Sequence, residues 1–270
     1  MCLASERLVG IKLLAIDGHY LVRRIHSVHP AEDAREKAVG AIETLHYSVL
    51  RALREHRPTH CLFAFDAGVP TWRHALYPPY KANRQPMPAE LQEELARYKA
   101  RLAEEGWAQA EHPGHEADDT LASVAFAALA LDAEVVVLAT DKDIACLSQF
   151  GAKVYDHFGH EWHDFAWCHA KFGVGPERLQ DWLALVGDTV DGVPGVEGVG
   201  VKTATRLLLE HGDLEGVLTA AAGMKGKLGE NLRDQADVAR LSRRLTALRL
   251  DLFPHGLNPD TLRVPRSSQP

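Results

Sequence analysis

Asp17, Asp66, Glu116, Asp118, Asp119, Asp141, Asp143, Asp188 and Asp191 stand where chemistry with metal ions and phosphates is conceivable. Three of them close apolar runs: Leu13-Leu14-Ala15-Ile16-Asp17, Cys61-Leu62-Phe63-Ala64-Phe65-Asp66 and Val135-Val136-Val137-Leu138-Ala139-Thr140-Asp141. The others are grouped, in Glu116-Ala117-Asp118-Asp119, Asp141-Lys142-Asp143 and Asp188-Thr189-Val190-Asp191. Taken singly, each has an ordinary reading. First-turn acids complement a helix dipole and cap it, and an aspartate beside Gly18 can begin a turn. Gathered together without cations, these acids would repel one another. Hard divalent ions such as Mg²⁺ or Mn²⁺ prefer carboxylate oxygens. Two of them about 3.5–4 Å apart can activate a water and stabilise the leaving oxygen in phosphodiester hydrolysis.

Basic and aromatic residues alternate in Trp72-Arg73-His74-Ala75-Leu76-Tyr77-Pro78-Pro79-Tyr80-Lys81-Ala82-Asn83-Arg84, between Asp66 and Glu116. Such a segment can stack on unpaired bases and hold phosphates. Lys81 and Arg84 can stabilise charge that develops on a phosphate. The plain alternative is a proline-bearing surface loop with solvated bases. Arg23 and Arg24 follow Asp17 and are further candidates for phosphate contact. The glycine-rich stretch from Val193 to Ala204 leads into a helix, whose N-terminal N–H groups can meet a phosphate. It ends in Lys202-Thr203, but Val201 separates Gly200 from Lys202 and no strand precedes it, so a nucleotide-binding P-loop is rejected. A helix-hairpin-helix contact to a DNA backbone fits better, and no nucleotide cofactor is expected. His157, His160 and His163 recur near Trp162; surface or strand-edge histidines are expected, with a transition-metal site as the alternative.

The apolar runs read as strands buried on both faces. Between them, Ala31 to Glu55, Ala89 to Glu105 and Ala117 to Leu131 carry apolar residues at helical spacing, and Lys153 to Phe158 is a candidate further strand. The alternation predicts an α/β fold, a mainly parallel sheet flanked by helices. In such sheets ligands bind beyond the carboxyl ends of the strands, where Asp17, Asp66 and Asp141 would converge. After about residue 170 the pattern becomes short helical stretches broken by glycine: Pro176 to Val186, Lys202 to His211, Leu214 to Ala221 and Asn231 to Leu248. The expected organisation is a nuclease domain over 1–170 with an arch at about 70–105, a helical DNA-binding domain over 171–253, and a loosely held tail over 254–270.

Composition is that of an ordinary soluble domain, 46% hydrophobic and 25% charged. No apolar run approaches the ~20 residues of a membrane span. No membrane association is expected, and a cytoplasmic monomer is. Four scattered cysteines without a C-x-x-C fit reduced thiols. The net charge of −7 argues against binding DNA, unless many of the acids sit around cations that offset them locally.

Ile16-Asp17-Gly18, Phe65-Asp66, Tyr80-Lys81-Ala82-Asn83-Arg84-Gln85-Pro86-Met87-Pro88, Glu116-Ala117-Asp118-Asp119, Thr140-Asp141-Lys142-Asp143 and the stretch from Gly187-Asp188 to Gly200, in this order, resemble the 5′-nuclease family. That family holds the 5′→3′ exonuclease domain of bacterial DNA polymerase I, phage 5′ exonucleases and flap endonucleases. No polymerase domain follows, so the chain is similar to small stand-alone bacterial flap endonucleases of the exonuclease IX type. The resemblance implies a PIN-like nuclease domain and a smaller helix-three-turn-helix domain. It implies an enzyme acting on branched or 5′-ended DNA through two divalent ions, Mg²⁺ or Mn²⁺. Asp17, Asp66, Glu116, Asp118 and Asp119 would serve one ion, and Asp141, Asp143, Asp188 and Asp191 the other. Some small stand-alone relatives lack the last acidic pair; both acids are present here, which implies activity. Tyr80, Lys81 and Arg84 match the arch and its phosphate-contacting bases, and Arg24 a basic position after the first strand. A K⁺ held by main-chain carbonyls is implied near Leu185, Val186, Pro194, Val196 and Val199. Duplex contact is implied at Gly198, Val199, Gly200, Val201, Lys202 and Thr203. Gly192 stands where the polymerase-type pattern has asparagine, which should alter the local turn. A non-catalytic binder of branched DNA and a small-molecule phosphatase are the competing readings.

Overall fold

The computed structural model describes residues 10–68, 70–139 and 141–265. Six strands form one sheet: β1 (Lys12–Asp17), β2 (His60–Ala64), β3 (Ala108–Ala110), β4 (Glu134–Leu138), β5 (Lys153–Asp156) and β6 (Glu161–Trp162). Their order is β3-β2-β1-β4-β5-β6. The first five run parallel and β6 is antiparallel to β5.

Alternation along the strands divides the core into two layers. Leu13, Ala15, Leu62, Ala64, Val135 and Val137 face α5 (Ala117–Leu129) and the C-terminal helices. Leu14, Ile16, Cys61, Phe63, Val136 and Leu138 face α1 (Gly18–Val28), α2 (Ala34–His56) and α4 (Ala89–Glu104). The β1, β2 and β4 interior is fully buried, which explains their unbroken apolar sequences.

The expected α/β architecture is thus what forms, with differences in detail. α1 starts directly at the end of β1 with no loop, and Asp17 caps it by accepting from the Tyr20 N–H at 2.8 Å. Asp17-Gly18, which can begin a turn, opens a helix here instead. A short α3 (Trp72–Leu76) precedes α4, and α6 (Phe165–Phe172) leads into the C-terminal region. There follow α7 (Leu179–Val186), α8 (Val201–His211), α9 (Leu214–Ala220), α10 (Gly226–Asp234) and α11 (Ala236–Thr246). The stretch expected as one helix from Asn231 is two, joined at Gln235.

The tail is not loose where it is described. Leu262 and Val264 are buried, Val264 N–H donates to the Thr59 carbonyl at 3.1 Å, and Arg263 pairs with His60. β3 covers only Leu62 to Ala64, so His60 keeps a free strand edge that the tail fills. No helix of the described residues is long and apolar enough to cross a membrane.

Candidate active site

β1 and β2, the turn after β4, and the first turn of α5 bring Asp17, Asp66, Asp141, Glu116 and Asp118 to one cleft at the carboxyl end of the sheet. Parallel pairing sets this register: Asp17 lies beside Ala64, two residues before Asp66. Asp66 Oδ1 accepts the Ala117 N–H at 2.8 Å, which fixes the start of α5 against β2. Its other oxygen lies 3.3 Å from His19 Nε2. Arg23, Arg24, Lys81 and Arg84 line the same cleft.

Lys81 has a backbone φ of 52°, uncommon for a side-chain-bearing residue. Its N–H donates to the Asp191 carbonyl at 2.8 Å, which holds that conformation. Its amine donates to Glu116 Oε1 at 2.9 Å and lies 3.7 Å from Asp191 Oδ2. Arg84 pairs with Asp191 as well. Burial would lower the Lys81 pKa, but Glu116, Tyr80 and Asp191 outweigh it and raise it. Lys81 is therefore a fixed positive charge over the acids.

The second acidic group sits beside the cleft. Asp188 Oδ1 accepts the Val190 N–H at 2.9 Å, in a turn closed by paired hydrogen bonds between Asp188 and Val193. Asp188 pairs with Lys142, which also lies 3.8 Å from Asp143. Asp141 belongs with the first group in space, although the resemblance counted it with the second. Gly192 adopts φ +70°, and a Cβ there would stand 2.8 Å from the Pro79 carbonyl. The Gly192 turn therefore sits directly against the base of the arch.

Asp119 requires a correction. It is fully buried, with both oxygens bound to Arg73 at 2.8 Å; it also accepts from Trp72 Nε1 at 3.0 Å and from the Arg249 N–H at 3.1 Å. Four donors saturate it, so it does not face the cleft with the other acids. Arg73 also donates to Glu116 and to the carbonyls of Leu245 and Ala247, tying the active-site helix to the end of α11. Tyr80 is likewise unavailable for stacking on a base, and Arg73 for holding a phosphate. Both are buried, and the Tyr80 hydroxyl donates to Glu116 Oε2 at 3.0 Å. Arg24 leans over the Phe158 ring and lies 3.7 Å from Asp156, at the rim of the cleft. His19 is a cleft residue that the sequence did not single out.

The donor set suits divalent cations. Asp143 Oδ1 is buried and has no hydrogen-bond partner among the described residues. Burial, and then the neighbouring acids, push Asp17 and Asp143 up to about 8, and Asp118 is also raised. Clustered, desolvated carboxylates of this kind are ligands for hard cations. For metal-free protein the sign follows directly. The folded state holds protons that the unfolded state has released, so stability falls as pH rises from about 4 to about 8. We expect chemical denaturation in EDTA to show this decline. Millimolar Mg²⁺ should reverse it, with proton release on metal binding in calorimetry at pH 7. Flat stability across that window would contradict the buried, proton-sharing cluster.

The hairpin between α7 and α8 is built backbone against backbone. Gly187 and Gly195 adopt φ of 80° and 66°, and a Cβ on Gly195 would lie 2.5 Å from the Gly187 nitrogen. Val196 N–H donates to the Leu185 carbonyl at 2.8 Å, and Val199 N–H to the Val196 carbonyl at 3.0 Å. Val186 and Pro194 flank the same crossing. Ser242 accepts the Gly195 N–H, Gln235 accepts the Glu197 N–H, and Asn231 donates to the Glu197 carbonyl. Gly198, Gly200, Val201 and Lys202 are exposed at the start of α8, Thr203 is half-buried, and Val199 is buried beneath them.

A mainly parallel sheet with a carboxylate cleft at its carboxyl end, lined also by Lys81, Arg84, Arg23 and Arg24, has the charge pattern of a metal-dependent nuclease-type domain. Residues 12–173 match the 5′-3′ exonuclease, N-terminal resolvase-like domain, and residues 174–269 the 5′-3′ exonuclease, C-terminal SAM fold. The chain belongs to the 5′-3′ exonuclease family. It is 33% identical to the flap endonuclease Xni of Shewanella frigidimarina, over 94% of this chain and 97% of that protein. It is 34% identical to the flap endonuclease Xni of Pectobacterium carotovorum, over 96% of each. Its fold is similar to that of T5 D15 protein co-crystallised with metal ions, with a TM-score of 0.72, 20% identity and 90% of each chain covered. The catalytic core of Rad2 in complex with DNA substrate superposes with a TM-score of 0.59, at 16% identity, over 94% of this chain and 82% of that one.

Proposed function

We propose that this protein is a structure-specific 5′ nuclease that hydrolyses phosphodiesters in branched or 5′-ended DNA, with two Mg²⁺ or Mn²⁺ ions. One observation carries the reading: Asp17, Asp66, Glu116, Asp118 and Asp141 share a single cleft with Lys81, Arg84, Arg23 and Arg24. Relatives named flap endonucleases, and fold neighbours crystallised with metal ions or DNA, support it. Those five acids would hold one ion, with Asp141 able to share the second with Asp143, Asp188 and Asp191. When bound, divalent ions supply water activation and neutralise charge on the phosphate.

The protein's own groups do the rest. Lys81 and Arg84 face the phosphate and stabilise its growing negative charge. Glu116 and Asp191 position both bases, and Tyr80 orients Glu116. Arg23 and Arg24 hold the backbone entering the cleft. The hairpin carbonyls of Leu185, Val186, Pro194, Val196 and Val199 would hold K⁺. Gly198 to Thr203, at the N-terminus of α8, would meet duplex phosphates. Backbone contacts of this kind read DNA shape rather than base identity. The acting form is a monomer in the cytoplasm, with no nucleotide cofactor.

The test is cleavage of a 5′-labelled flap duplex and of an unbranched duplex of the same sequence. We expect cutting near the flap junction in Mg²⁺ or Mn²⁺, none in EDTA, and much slower cutting of internal unbranched positions. Tight, salt-sensitive binding of the flap without cutting in any of these metals would instead identify a non-catalytic binder of branched DNA.

A further inference from the structure

Asp156 and Glu161 lie directly opposite one another where β5 pairs with β6. Like charges in that position destabilise a strand pair. His163 lies beside them. It is 2% exposed, and neither ring nitrogen has a hydrogen-bond partner among the described residues. Leaving a buried polar group unpaired is costly. Ligand atoms of Asp156, Glu161 and His163 all fall within 4.8 Å of one another. Repelling carboxylates and an unsatisfied buried imidazole are answered together by one cation.

We propose that Asp156, Glu161 and His163 form a transition-metal site for Zn²⁺ on the sheet edge, separate from the carboxylate cleft. An imidazole with two carboxylates suits Zn²⁺, and water would complete a tetrahedron. His163 is built for the task. Its ring stacks on Trp167 with centroids 3.7 Å apart, and its N–H donates to the Val154 carbonyl at 2.9 Å, so ring and backbone are both fixed. A neutral imidazole offers a ring nitrogen lone pair to a metal ion. Asp156 Oδ1 accepts from the N–H groups of Phe158 and Gly159 at 2.8 and 2.9 Å. Its Oδ2 faces Gly159, where a Cβ would stand 3.0 Å away, so glycine keeps that oxygen open. The nearby cations are Arg24, 3.7 Å from Asp156 Oδ2, and Lys171, seated over the Trp167 ring. Arg24 is substantially exposed and lines the cleft, so it can yield Asp156 to the ion and turn toward the cleft. The expectation of surface or strand-edge histidines holds in part: His160 is exposed, and His157 and His163 directly follow β5 and β6, but both of these are buried.

The experiment is crystallography of the full chain, with Mg²⁺ in large excess over Zn²⁺ and data collected on both sides of the zinc edge. We expect an anomalous peak about 2.0–2.2 Å from a His163 nitrogen and from oxygens of Asp156 and Glu161. Zinc retained after dialysis against Mg²⁺ should fall by one equivalent in His163→Ala. It should bind at least about tenfold more weakly in Glu161→Gln, a substitution at an exposed side chain that leaves the core packing untouched. Zinc found only in the carboxylate cleft, or equal zinc affinity in wild type and Glu161→Gln, would overturn the site.

Discussion

Replacing Lys81 with alanine is expected to slow flap cleavage by roughly 100- to 1000-fold, the loss typical of removing one preorganised stabiliser of transition-state charge. The expectation rests on how firmly this lysine is placed. A left-handed backbone, a hydrogen bond to the Asp191 carbonyl and contacts with two carboxylates hold its amine over the acids. Groups held in advance contribute most, because nothing needs to reorganise when charge develops. The loss should fall on kcat in single-turnover assays, with affinity for the flap changed only a few-fold. Lys81→Arg should recover part of the rate, since the charge returns without the same reach. A variant with unchanged kcat and weakened binding would make Lys81 a docking residue.

Replacing Arg73 with alanine should instead attack stability. The side chain is almost fully buried and serves Asp119, Glu116 and two carbonyls near the end of α11. Its removal strands the buried Asp119 charge, a loss of about 3–5 kcal/mol. At roughly 2–4 °C per kcal/mol for a chain of this size, Tm should fall by around 10 °C. Arg73→Met combined with Asp119→Leu should regain most of that, because removing both partners leaves no buried charge uncompensated. Activity of the double variant separates the roles. If Asp119 only scaffolds Glu116 and α5, cleavage survives in part; a loss as deep as that of a cleft acid would make Asp119 a ligand.

The contrast between Asp17 and Asp119 shows what a single sequence discloses. Asp17 ends an unbroken apolar run, and such a run in an alternating pattern places its last residue at the sheet's carboxyl end. Asp66 and Asp141 are legible in the same way. Asp119 sits in an acidic group that looks equivalent, yet its partners are Arg73, Trp72 and the Arg249 N–H, and no local spacing connects them. The capping arrangement of Glu116 and Asp119 at the start of α5 was the local clue: the plain role of first-turn acids applies in part. Tyr80 was misread for a similar reason. Alternation of bases and aromatics suggests a stacking surface, but tertiary packing turned its ring inward, against Val193 and Leu245. His19 was missed because Asp17-Gly18 reads as a turn after β1, whereas it is the N-cap and first residue of α1. The mainly parallel sheet was legible because burial on both faces writes itself as consecutive Val, Ile, Leu and Phe. Two- and three-residue strands such as β6 and β3 carry too few positions to show a period.

The most direct test of the carboxylate cleft is Asp118→Asn. The substitution keeps the side chain's shape while removing a charge at the first turn of α5, among Asp17, Asp66 and Asp141. Flap binding and flap cleavage would be measured on the same protein in Mg²⁺, with thermal denaturation as a control. The predicted result is an intact fold, flap affinity within a few-fold of wild type, and cleavage lowered at least about 100-fold. Cleavage at the wild-type rate would contradict the assignment of this cleft as the catalytic centre.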